Sequence, residues 1–99
     1  MPLPDLATRR ERTRQLTYLA TPALWAAYPF LPVTRPGPSG PECGVLFDAK
    51  RVCGLYGFSA TVFLVNLFDL PPTVADLLTV PKEMFDIPDE IYLAGWRVD

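Results

Sequence analysis

The sequence predicts a small single α+β domain, residues 1–99, with a short antiparallel sheet of about three strands covered by short, proline-bounded helices. Three observations carry that expectation. Length and composition come first: 99 residues, 49% hydrophobic and 20% charged, suffice for one core without a disulfide or metal to hold it. The second is a set of β-branched and aromatic runs between residues 44 and 68. The third is a series of helix-forming segments, each stopped or opened by one of 12 prolines.

In chain order, Asp5 can cap a helix from 5 to about 20, built from good helix formers in LATRRERTRQLTYLA. Its apolar stripe breaks between residues 8 and 15 and resumes at Leu16, Leu19 and Ala20, which predicts a solvated first half and a packed second half. Thr21 and Pro22 open a second, short helix that ends near Tyr28, because the residue before Pro29 is pushed out of the α region. FLPVTRP then runs extended. RPGPSGP, residues 35 to 41, has the spacing of a polyproline II ligand at Arg35, Pro38 and Pro41, but Gly37 and Gly40 loosen that geometry. A surface loop or linker over 35–42 is the expectation.

CGVLFD and RVCGLYG read as a strand pair turning at DAKR. In that register Cys43 and Cys53 lie too far apart to bridge, so two reduced thiols are expected. FSATVFLVNLF, 58–68, is apolar on both alternating faces and suits a central strand, although a buried helix capped by Ser59 would show the same run. Thr73 with Asp76 marks the start of a helix at VADLL, Pro81 opens a turn through PKEMF, and Asp86 caps IPDEIYLA. Gly95 is its left-handed stop, with Trp96 and Val98 folding back on the core.

Charge divides the chain. Residues 1 to 41 carry five arginines against Asp5 and Glu11, whereas residues 42 to 99 carry four bases against nine acids. The expected organisation is a basic, aromatic helical arm (1–34), the Pro/Gly loop (35–42) and an acidic α+β body (43–99).

The missing residues are as informative. No histidine is present, which removes the commonest general base and metal ligand. GFSAT resembles a nucleophile elbow but ends in Thr61 where glycine is needed, and Ser59 has no base to activate it. Two cysteines without histidine do not complete a zinc site, and Asp86, Asp89 and Glu90 lack the spacing of a calcium loop. No phosphate-binding glycine loop occurs. No catalytic residue, cofactor or metal is therefore expected. The uncharged run from Gln15 to Thr34 has the length of a membrane anchor, but Pro22, Pro29 and Pro32 count against a spanning helix.

The sequence thus predicts a cytoplasmic, non-enzymatic interaction or accessory protein. It would bind a protein partner, or a second copy of itself, through the aromatics Trp25, Tyr28 and Phe30 of the arm. The alternative is polyanion binding, nucleic acid included, through Arg9, Arg10, Arg12 and Arg14.

Overall fold

The computed structural model describes residues 6–58 and 60–98. The expected cap Asp5 and Ser59 lie outside these. The fold is α+β as predicted, but the sheet has five strands instead of about three, in the order β4-β3-β2-β1-β5 and antiparallel throughout.

Helix α1 spans Leu6–Ala20. Its residues 6–14 are exposed, as the broken stripe predicts, and Leu16 and Leu19 pack onto the core. Gln15 is the unexpected member of that face: it is 1% exposed, its amide donates to Glu11 Oε1 at 2.9 Å, and its carbonyl accepts the backbone N–H of Val98 at 2.7 Å. A buried amide is tolerated because donor and acceptor are both engaged, and the bond from Val98 ties α1 to the last strand. Beyond it, the helix expected from Pro22 contracts to a single 3₁₀ turn, Pro22–Leu24.

The longest strands run through the segment expected as a loop. Strand β1 is Phe30–Gly37 and β2 is Gly40–Phe47, paired from Phe30↔Phe47 to Gly37↔Gly40. The predicted loop over 35–42 is thus the strand ends and their two-residue turn, Pro38 and Ser39. Register explains how the prolines fit. Pro32↔Val45 and Pro36↔Pro41 are four residues apart, hence in the same class of pair, and in the non-hydrogen-bonded class the missing N–H points away from the partner strand.

The strand pair expected around DAKR does not form. β2 takes β1 as its partner, and the chain coils into α2, Ala49–Cys53, closed by Gly54 at φ +68°. Ala49, Lys50 and Arg51 favour helix over turn, and Ala49 is buried beside Phe47 in the core. Cys43 sits opposite Thr34 on β2, Cys53 ends α2 with its thiol directed to the Ala49 carbonyl at 3.3 Å, and both are exposed free thiols.

Strand β3, Thr61–Phe63, is the central, doubly covered strand that the 58–68 run implied, though only three residues long. The chain then leaves the sheet for a 3₁₀ turn, Leu67–Asp69, and for α3, Val74–Leu77, where the Thr73 hydroxyl accepts the Asp76 N–H at 3.1 Å. Residues after Pro81, expected as a helical turn, form β4, Lys82–Met84, paired with β3. Helix α4 is Pro88–Leu93. Asp86 does not cap it; the Glu90 carboxylate instead accepts the N–H groups of Asp86 and Ile87 at 2.8 and 3.3 Å. Gly95 at φ +96° ends the helix as predicted, and β5, Arg97–Val98, returns to pair with β1.

Alternation along the strands supplies two apolar layers. One, with Leu31, Val33, Leu46, Val62, Ile91 and Trp96, is roofed by α1 and α4. The other, with Val45, Phe47, Phe63 and Leu77, lies under the segment that carries the 3₁₀ turn and α3. Gly44 permits the first layer to close, because a Cβ there would sit 2.5 Å from Val62 Cγ1.

Candidate functional site

The three arm aromatics occupy different environments. Trp25 is 7% exposed, belongs to the layer beneath α1, and donates its indole N–H to the Tyr18 carbonyl at 2.7 Å. Its ring is therefore committed mainly to its own domain. Phe30 is half-buried and stacks on Phe47 with centroids 5.1 Å apart. Tyr28 is 45% exposed, and its hydroxyl donates to Asp48 Oδ2 at 2.9 Å, a bond that raises the phenol pKa above its ordinary value. That bond fastens the arm to the start of α2.

Two clefts abut this arm and share no lining residue. The first, about 330 Å³, opens between the end of α1 and α2; Leu19, Trp25, Phe47 and Ala49 form its apolar part, with Asp48, Lys50 and Arg51 at its polar side. The second, about 250 Å³, lies between α1 and the sheet edge, where Tyr18, Leu24, Ala27, Leu31 and Val98 line it beside Arg14. Both sit at or below the low end of the range of roughly 300–1,000 Å³ for small-molecule sites, which suits one or two side chains better than a large cofactor. Leu24, half exposed at the rim of the second cleft, is a candidate that the sequence reading omitted. Its neighbours on a 3₁₀ turn left no apolar periodicity to single it out.

The arginine cluster is placed on α1 as expected, but its members differ. Arg9 and Arg12, three apart, and Arg10 and Arg14, four apart, lie on two stripes of the helix. Arg14 donates two bonds to the Glu11 carboxylate at 2.9 and 3.1 Å, which with Gln15 lowers the Glu11 pKa to about 2. Arg12 stands over the Tyr92 ring at 5.6 Å. Among the described residues no ion pair engages Arg9 or Arg10.

The most connected charged group is one whose partners lie too far along the chain for local sequence to show. Arg35, on β1, donates to both oxygens of Glu83 at 2.9 and 2.7 Å and to Glu42 at 3.1 Å, with its guanidinium 4.2 Å above the Trp96 ring. Trp96 in turn donates to Glu83 at 3.2 Å. The Glu83 pKa is lowered, chiefly by Arg35, and that of Arg35 is raised, chiefly by Glu83. Each member is satisfied by another, so the cluster has the form of a structural clamp over the core and not of a poised acid or base.

Among the described residues no group of three potential metal ligands converges, and no helix is long and apolar enough to cross a membrane. Comparisons of this chain with protein-family models, with curated proteins and with solved structures returned no match.

Proposed function

We propose that the protein is a non-enzymatic interaction protein that binds a protein partner through the arm following α1. The carrying observation is that both clefts border the segment 18–32, on which Leu24 and Tyr28 remain exposed. Apolar clefts beside exposed aliphatic and aromatic side chains are the usual make-up of a protein-binding patch. The absence of histidine supports the non-enzymatic part of this reading. Trp25 contributes as one wall of the first cleft and Phe30 by holding the start of β1, while Tyr28 and Leu24 make the contact. We infer a cytoplasmic setting, and the two exposed thiols are compatible with a reducing compartment. Polyanion binding is the second reading, favoured by the exposed Arg9 and Arg10, which no ion pair engages among the described residues.

The test is affinity capture from native lysate with wild type, Leu24→Asp and Tyr28→Ala, each checked for folding by circular dichroism. A photo-crosslinker at position 24 then identifies what is bound. Loss of the captured protein in folded variants, with the same protein crosslinked, is the expected result. Capture that survives both substitutions refutes the arm as the contact.

A further inference from the structure

The same face has a complement elsewhere on the molecule. Phe68 is 92% exposed at the 3₁₀ turn Leu67–Asp69, so its ring fills no cleft of its own chain. The turn that presents it is held in place: Asn66 Oδ1 accepts the Phe68 N–H at 3.0 Å, the Asn66 carbonyl accepts the Asp69 N–H at 2.9 Å, and Pro71 and Pro72 follow. A pre-ordered knob loses little entropy when it docks. Next to it stands Asp69, exposed and in no ion pair among the described residues.

The cleft between α1 and α2 answers each of these features. Its apolar part, with Leu19, Trp25 and Phe47, has the volume for one aromatic ring. At its polar side Lys50 and Arg51 are exposed cations in no ion pair among the described residues, in a body that is otherwise acidic. Lys50 lies 5.5 Å from the Tyr56 ring centroid. Asp48 is the opposing charge there, and its carboxylate is engaged by the Tyr28 hydroxyl.

We propose that the Phe68–Asp69 knob of one copy docks in the Trp25, Lys50 and Arg51 cleft of another, head to tail. This rests on the arm face being a protein-binding surface and names a second copy as its partner. Knob and cleft are different surfaces, so the contact is heterologous, and each added copy leaves one knob and one cleft open. A contact centred on one ring is small, and the association is correspondingly weak, with a dissociation constant between about 10 µM and 1 mM.

Sedimentation of the purified full chain over that concentration range tests the proposal. The weight-average mass should rise from that of one 11.0 kDa chain past that of two. Phe68→Ala, which lacks the knob, and the Lys50→Glu/Arg51→Glu pair, which lacks the cleft charge, should each remain single chains. Mixed in equal amounts, the two variants retain one intact knob and one damaged cleft, and one damaged knob and one intact cleft. They should therefore form a two-chain species that grows no further. Asp69→Lys should restore docking to the charge-reversed cleft, a gain that misfolding does not produce. A wild type that stays monomeric overturns the proposal, as does a mixture that fails to recombine. Monomeric protein whose capture of another protein still depends on Leu24 would overturn this inference and leave the arm reading standing; loss of both would overturn both.

Discussion

Replacing Arg35 by Met is the most informative perturbation of the fold, because it retains much of the aliphatic stem and removes only the charge and its donors. The Arg35 side chain is 20% exposed and that of Glu83 is 31% exposed, so their pair lies between two regimes. Exposed pairs contribute about 0–1 kcal/mol, and breaking a buried one costs about 3–5 kcal/mol because a charge is left unpaired. The loss also removes the guanidinium above Trp96, worth about 1 kcal/mol. Together these set the cost of Arg35→Met at about 2–3 kcal/mol, or a melting point lower by roughly 10–20 °C for a domain of this size. Glu83→Gln retains an acceptor for the Trp96 N–H and should cost less, about 1–2 kcal/mol. With both changed, the cost should fall below the sum by about 1 kcal/mol, since the two act on one interaction.

The sign of the pH dependence follows from the carboxylate. Glu83 has a depressed pKa in the folded chain, so its contribution is present above the unfolded value of about 4.3 and is lost as pH falls through the folded value. Urea unfolding followed by the fluorescence of Trp25 and Trp96 should show a gap between wild type and Arg35→Met that is full at about pH 6. The gap should narrow as pH falls below the ordinary carboxylate range. A gap under about 0.5 kcal/mol, or one that does not change with pH, would mean that solvent screens the cluster and that it does not clamp the core.

Two shorter predictions follow from the arm. Trp25→Ala should destabilise the domain by about 3–5 kcal/mol in the same urea assay, since the ring is in the core and its N–H is bonded; a loss below about 1 kcal/mol would make it a surface contact residue. If the chain binds nucleic acid, Arg9 and Arg10, in no ion pair among the described residues, should give a log–log salt slope no steeper than about 2, abolished in Arg9→Ala/Arg10→Ala, and a slope near 4 would mean that Arg12 and Arg14 leave Tyr92 and Glu11 to join them.

The elements legible in the sequence were those fixed by local chemistry. Helix α1, the Thr73 start of α3, the Gly95 stop and the extended FLPVTRP all depend on residues within one or two turns of each other. Pairing was not legible. DAKR flanked by apolar runs looks like a hairpin, yet the run after it coils into α2, and β2 pairs with the proline-rich β1 on one side and with β3 on the other. The Pro/Gly content of RPGPSGP points to a loop, whereas what matters is parity: Pro32, Pro36 and Pro41 fit a register in which none owes the β1–β2 ladder an N–H. Residues 82–84 show the same limit, since three residues carry too little period to separate a turn from an edge strand.

The candidate site divides along the same line. Trp25, Tyr28 and Phe30 mark the arm as aromatic in the sequence, but their different exposures do not show there: Trp25 joins the layer roofed by α1 and α4, Phe30 stacks on Phe47 of β2, and Tyr28 stays exposed with its hydroxyl on Asp48. Phe68 shows the converse. As one letter in the most apolar run it read as core, and it is exposed because β3 ends at Phe63 and the chain turns at Asn66. Aromatic content marks where binding energy is available; only the end of a strand decides whether the fold uses that energy itself or leaves it for a partner.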